Sequence, residues 1–243
     1  MTKDNFIQQP DLNYFDQYIV NESHTFLNLI NDHYNNFRYN HVSQNILHFI
    51  SNKISALYCH CVKDRLYCSS QSSNERMSAQ LSINTILITL LKSLAPILPH
   101  LVEESWQHHP LYERPFYFTQ DFSILPPFSN HNDSLMDAIL NVKKDVCAIA
   151  KNENLKKLDL ILNVNKDLFY EFNKLNKNNG ASDSVLCEIL EVSNVSLIEK
   201  ENGGKVDITL VQSKKEQCLR CRKYNALDNS DKCLRCEKVI AML

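Results

Sequence analysis

Apolar residues along this chain recur mostly in steps of three and four, the spacing that keeps one side of an α-helix dry. The longest run holds Ala79, Ile83, Ile86, Leu87, Leu90, Leu91 and Leu94, which leaves Ser78, Ser82, Thr85, Thr89 and Lys92 on the wet side. Pro96 lacks an amide donor and clashes one turn back, so this helix is predicted to kink or stop near Ala95. Pro99 suits the first position of a further helix, with Glu103 and Glu104 near its positive end. Upstream, Phe26, Leu27, Ile30 and Tyr34 predict a helix from Asn21 to Tyr34, capped by Asn21 or Ser23. Val42, Ile46, Phe49, Ile50, Ile54, Leu57 and Cys61 predict another from His41 to Val62. A Pro-rich, aromatic excursion follows Trp106, which is assigned to packing, and ends in the polar run after Pro126 and Pro127.

Beyond that boundary the period changes. A helix begins at Ser134, whose hydroxyl is the expected cap, with Leu135, Ile139, Val142, Val146, Ile149 and Ala150 as its stripe. Leu158, Leu160 and Leu162 alternate and read as a strand, then helices follow over 166–174 and 184–190. Residues 195–199 and 205–211 alternate on either side of Glu201 to Gly204 and read as a β-hairpin. The predicted fold is therefore mainly α. A helical bundle over 1–130 precedes a small α+β module over 131–213 and a cysteine-rich finger over 214–243.

Composition narrows the function classes. With 44% hydrophobic and 22% charged residues in 243, the chain is globular material. A net charge of −2 excludes a wholesale polyanion binder, so nucleic-acid contact has to be a local patch. Eighteen of the 26 Lys and Arg lie beyond residue 130, against 17 of the 28 acids, which makes the second part the less acidic one. Three glycines leave almost no material for a phosphate-cradling loop. No apolar run approaches the ~20 residues of a membrane span. Nine cysteines without a secretory signal point to a reducing compartment. The amino-terminal residues do not read as a transit peptide either. Nothing in the chain reports an oligomeric state.

The strongest chemical signal is Cys218-x2-Cys221 and Cys233-x2-Cys236, two thiol pairs separated by eleven residues. Such pairs suit one tetrahedral Zn²⁺, and metal closure replaces a core in a module too small to have one. Arg220, Arg222, Lys223 and Arg235 make its surroundings basic, either as phosphate contact would require or as a solvated charged face on a structural zinc module. Cys59, Cys61 and Cys68 have no metal spacing and are assigned to the core. His108 and His109 are adjacent, so they point apart and read as a surface pair. Arg38 and Tyr39 sit in a polar turn, either as a solvated turn with a packed ring or as a cation and ring against an RNA base. Lys63, Asp64 and Arg65 form a charge cluster at a helix end, with Leu66 and Tyr67 expected to return to the core.

The KDRLY pentad (63–67), the Arg76, Ala79 and Gln80 helix start, and the APILPHLVEESW stretch (95–106) occur in one order. Together they resemble the anticodon-binding helical domain of class I aminoacyl-tRNA synthetases for aliphatic amino acids, the isoleucyl enzymes of bacteria and mitochondria above all. The helix, LKKL-type strand, helix, hairpin and cysteine cluster that follow are similar to the carboxyl-terminal region of the same enzymes. The resemblance implies a structured-RNA binder, with a tRNA for isoleucine as partner and the mitochondrial matrix as compartment. It implies RNA contact at Arg38, Lys63, Arg65, Arg220, Arg222, Lys223 and Arg235. No HIGH-like or KMSKS-like signature is present, so no catalytic residue is assigned and the chain is not expected to be an enzyme by itself. Two alternatives stand beside this: a freestanding relative serving as an RNA-binding or splicing cofactor for an organellar intron RNA, and a zinc-stapled protein-interaction module.

Overall fold

The computed structural model describes residues 10–110, 117–119, 124–129, 132–151, 153–176, 183–200, 206–228 and 230–241. Its elements run α1 (Tyr14–Asn35), α2 (Tyr39–His48), a π-helical stretch (Phe49–Cys59), α3 (His60–Cys68), α4 (Asn74–Leu94), α5 (Pro99–Gln107) and α6 (Asp133–Ala150). Then come β1 (Leu158–Val164), α7 (Lys166–Asn176), α8 (Val185–Leu190), β2 (Asn194–Glu199), β3 (Asp207–Gln212) and α9 (Leu234–Ile240). The chain is mainly helical, with one small sheet and a cysteine cluster near its end. It divides into two compact units. One is Met1–His60 with Gln71–His131; the other is Cys61–Ser70 with Asn132–Leu243.

In the first unit, α1 starts seven residues before the expected Asn21. Asn13 caps it by accepting from the Asp16 N–H, and Phe15, Tyr18 and Ile19 extend the buried face upstream. The α2 helix and its π-helical continuation run back along α1. Phe26 stacks on Phe49 with centroids 4.1 Å apart, and the Tyr58 hydroxyl donates to Asp16 at 2.6 Å. Buried positions in the π stretch are Phe49, Ile54 and Tyr58, in steps of five and four. Those steps suit a turn wider than 3.6 residues, so a uniform α-helix was the wrong expectation here.

On α4, Ala79, Ile86 and Leu91 are buried as predicted, but the rest of the buried face lies elsewhere. Ser78, Ser82, Thr85 and Thr89 are buried, whereas Ile83, Leu87, Leu90 and Leu94 are only half-buried. A buried hydroxyl needs a partner, and a helix can supply one from its own preceding turn. Thr85 donates to the Leu81 carbonyl at 3.1 Å, Thr89 to that of Thr85 at 2.8 Å, and Ser93 to that of Thr89 at 2.7 Å. Ser78 donates to the Asp16 carboxylate. These short side chains bring α4 against α1 in parallel, with the Tyr34 hydroxyl donating to the Ser93 carbonyl at 2.7 Å.

Pro96 and Pro99 act as predicted: α4 ends at Leu94 and α5 begins on Pro99. Leu87 and Leu94 turn to a second cluster, where Leu91, Val102 and Tyr117 surround a fully buried Trp106. His109 is buried beside that indole, its Nε2 2.8 Å from Asn84 Oδ1. Only His108 is exposed, so the surface pair is corrected to one surface histidine. Residues 111–116 and 120–123 of the aromatic excursion lie outside the described residues.

In the second unit, Asn132 caps α6 by accepting from the Leu135 N–H, and Ser134, the expected cap, donates to it from inside the first turn. Met136 joins the stripe and Ile149 leaves it for solvent. β1 alternates as predicted, with Leu158, Leu160, Leu162 and Val164 buried. The hairpin is corrected. The sheet order is β2-β1-β3, with β2 parallel to β1 and β3 antiparallel to it, so that Leu160 lies between Val195 and Leu210. Four buried side chains make β1 the central strand, while β2 and β3 bury few positions and take the edges. A parallel pair needs a crossover, which α7 and α8 provide. The intended hairpin turn, 201–204, lies outside the described residues.

Candidate metal centre and nucleic-acid interface

Two short turns carry the cysteines. The Arg222 N–H donates to the Cys218 carbonyl at 2.8 Å, and the Cys218 N–H donates to the Lys223 carbonyl at 2.8 Å. Arg222 takes a left-handed φ of 62° to close this turn, at some strain for a residue with a Cβ. The Cys233 N–H donates to Cys218 Sγ at 3.3 Å, and α9 starts directly after Cys233. The four sulfurs of Cys218, Cys221, Cys233 and Cys236 are buried and lie within 4.8 Å of one another.

This donor set fits a metal. Zn–S bonds of ~2.3 Å in a tetrahedron place sulfurs about 3.8 Å apart, and Cys221 and Cys233 have their sulfurs 3.8 Å apart. Burial raises the Cys218 thiol, but N–H groups of Cys221, Cys233 and Arg220 outweigh it and bring it down to about 7. A thiolate is the form that ligates. Cys61 is pushed up to about 12 by burial, but burial also raises Cys236 to about 11 and the Cys233 hydrogen bond raises Cys221, so a raised thiol is common to core and clustered cysteines. Cys68 is buried against the four clustered cysteines, and its thiol is raised by burial.

The cations assigned to RNA separate into two kinds. Arg38, Lys63 and Arg222 are exposed. Arg65 is buried and pairs with Glu188 on α8 at 2.7 Å. Lys223 is buried between Asp64 and Asp183, 3.2 Å from each. Arg235 reaches Asp64 at 2.7 Å and Asp183 at 3.5 Å, and Arg220 donates to the Cys68 carbonyl at 2.6 Å. Burial raises the Asp64 carboxyl, yet Lys223 and Arg235 hold it well below the usual carboxylate range. Burial lowers the Lys223 ammonium, yet Asp64 and Asp183 keep it above the usual lysine range. Arg65 and Lys223 therefore bind protein carboxylates, and a group so buried cannot reach a phosphate without breaking its pair.

Two exposed rings went unrecognised. Tyr67, expected in the core, is 76% exposed. Phe37 is 78% exposed at a left-handed φ of 55°, beside Arg38 and edge-on to Tyr39. Tyr39 is itself exposed, so the turn is not a solvated loop over a packed ring.

The family model described as anticodon-binding domain of tRNA ligase matches residues 16–171. The chain belongs to that family. Its anticodon-binding domain match takes in α1 to α6, β1 and the start of α7, and stops before the four cysteines. An isoleucine-tRNA ligase of Lactobacillus johnsonii is 30% identical over 246 aligned residues, covering 94% of this chain and 25% of its own length. A mitochondrial isoleucine-tRNA ligase of Macaca fascicularis is 26% identical over 254, covering 91% and 25%. One from Macrococcus caseolyticus is 39% identical over 95 residues, covering 39% of this chain and 10% of its own length. The chain thus spans about a quarter of the length of the first two relatives.

Proposed function

We propose that this chain binds tRNA, as the anticodon-recognising part of an isoleucine-tRNA ligase or a protein derived from one. The observation that carries this is the family match over 16–171, extended by isoleucine-tRNA ligase relatives to more than nine-tenths of the chain. Direct contact falls to the exposed cations: Arg38 with the rings of Phe37 and Tyr39, Lys63 with Tyr67, and Arg222 on the cysteine module. Cations meet phosphates, and exposed rings stack on unpaired bases. Within the second unit, Arg65, Lys223 and Arg235 support Lys63 and Arg222 from within, and Arg220 is held by α3.

The metal of this reading is one Zn²⁺ on Cys218, Cys221, Cys233 and Cys236, since four buried cysteines with sulfurs within 4.8 Å of one another suit the tetrahedral thiolate coordination of zinc. Zinc supplies structure there and no redox chemistry. The chain is read as non-catalytic by itself, because no adenylation signature or phosphate loop occurs in its sequence. The compartment assigned is the mitochondrial matrix, supported by the macaque relative, although bacterial relatives match as well. A tagged chain found elsewhere overturns that address alone.

Gel-shift titration against isoleucine tRNA, a second tRNA and a structured organellar intron RNA at two salt concentrations tests the reading. Tightest binding to the isoleucine tRNA is expected. Arg38→Ala with Arg222→Ala should weaken binding to all three RNAs and flatten the salt dependence by about two phosphate contacts. Preference for the intron overturns the tRNA assignment, and absence of salt-sensitive binding to any of them overturns RNA binding.

A further inference from the structure

The cysteine module carries one tetrapeptide twice, Cys218-Leu219-Arg220-Cys221 and Cys233-Leu234-Arg235-Cys236. The two arginines reach the same helix. Arg220 Nη1 donates to the Cys68 carbonyl at 2.6 Å, and Cys68 Sγ donates back to the Arg220 carbonyl at 3.6 Å. Arg235 Nη2 donates to Asp64 Oδ1 at 2.7 Å. Asp64 and Cys68 stand one turn apart on α3, at i and i+4 of one face. Asp183, just before α8, gathers Lys223 at 3.2 Å and Arg235 at 3.5 Å. The same helix is pinned to α8 by Arg65 and Glu188, whose side chains are 7% and 10% exposed.

We propose that Asp64 and Asp183 are positioning residues for the metal module, and that filling the four-cysteine set locks residues 61–68 through one arginine from each cysteine turn. This rests on the cysteines holding a metal. Each arginine lies between two ligands of a four-residue turn, so an ion shared by both turns fixes both arginine positions together. Without the ion the turns have no core of their own to hold them. A two-point grip also makes its second contact intramolecular once the first has formed. If the module leaves, Asp64 loses its contacts to both Lys223 and Arg235. The outer side of α3 carries exposed Lys63 and Tyr67, one turn apart. Metal occupancy thereby sets how firmly that cation and ring are presented.

Linkage makes the coupling reciprocal. Whatever factor metal adds to the grip on α3, loss of the grip must subtract from metal affinity. The experiment is hydrogen exchange on the full chain loaded with Co²⁺, whose thiolate absorption reports occupancy, for wild type, Asp64→Asn, Asp183→Asn and Arg220→Lys. Chelation should raise exchange over 63–68 by about tenfold. Asp64→Asn should weaken Co²⁺ binding by a similar factor while keeping the thiolate bands at saturation. Arg220→Lys keeps the charge and loses the planar fork, so it should reproduce the effect if Asp64→Asn folds poorly. Unchanged protection over 63–68 on chelation overturns the proposal, as does unaltered Co²⁺ affinity in all three variants. If no thiolate absorption develops, the metal reading itself falls. The grip is then read in the metal-free chain, where Asp64→Asn raising exchange over 218–236 supports it and leaving it unchanged overturns it.

Discussion

The two units solve the same problem, buried polarity, by different chemistry. In the first, buried polar groups are mostly neutral. The one buried carboxylate, among its described residues, is Asp16, which accepts from the Tyr58 and Ser78 hydroxyls, and α4 satisfies its threonines from its own carbonyls. In the second, neutral groups such as Ser184 and Ser193 are buried too, but ion pairs join them: Arg65 with Glu188, then Lys223 and Arg235 with Asp64 and Asp183. Neutral donors satisfied locally cost little to bury and hold helices close. Ion pairs cost more to desolvate, so they form where geometry is fixed by something else. For Lys223 and Arg235 the proposed metal set of four cysteines is what fixes it.

The comparison breaks most visibly at the metal. Cys218→Ser with Cys233→Ser should abolish metal binding and open residues 214–241 to protease, while the first unit keeps its thermal transition. Zinc-coupled folding contributes about 10–16 kcal/mol in small finger modules, which makes this the largest expected loss. Elemental analysis and limited proteolysis measure it, and retained zinc in the double variant would refute the ligand assignment. Next comes Arg65→Ala, which strands Glu188 and should destabilise the second unit by about 3–5 kcal/mol in urea. Replacing both partners, as Arg65→Met with Glu188→Leu, should recover most of that, because a buried ion pair and a well-packed apolar pair are often near equal. If the double variant is as unstable as the single, the pair is not isolated from its surroundings.

The matching change in the first unit is smaller. Asp16→Ala leaves two hydroxyls without their acceptor and should cost about 2–3 kcal/mol, read from chemical denaturation of the first unit. A loss as large as that of Arg65→Ala would erase the distinction between the units. The mildest perturbation is acid. Burial lowers the His109 imidazole below its usual 6.5. Its contribution is therefore complete above pH 6.5 and lost as pH falls from there through the folded value, because the unfolded chain takes up the proton first. The melting temperature of the first unit should drop over that range, and His109→Gln should flatten the drop. An unchanged slope in the variant would assign the acid sensitivity to other groups.

The sequence by itself determined most segments that are helix and the three that are strand, because period depends only on side-chain order, but it missed α9 and the first two turns of α1. Pro96 and Pro99 marked the end of α4 and the start of α5, the alternation of Leu158, Leu160 and Leu162 marked β1, and the paired spacing of Cys218, Cys221, Cys233 and Cys236 marked their convergence on one point. The repeated Cys-Leu-Arg-Cys was also in plain view and would have directed attention to Arg220 and Arg235 together. What only the tertiary structure decided was which partner each segment and each charge found. Alternation says that 195–199 and 205–211 are strands, but not that β1 separates them, since hydrogen-bonding edges are alike along any strand. Hydropathy placed the hydroxyl side of α4 in water, but a serine or threonine bonded to its own helix is small and satisfied, and α1 covers it. Charge alone cannot distinguish Arg222, open to solvent, from Lys223 beside it, enclosed by Asp64 and Asp183. Those carboxylates stand 159 and 40 residues from Lys223 along the chain, and only folding brings them within hydrogen-bonding reach.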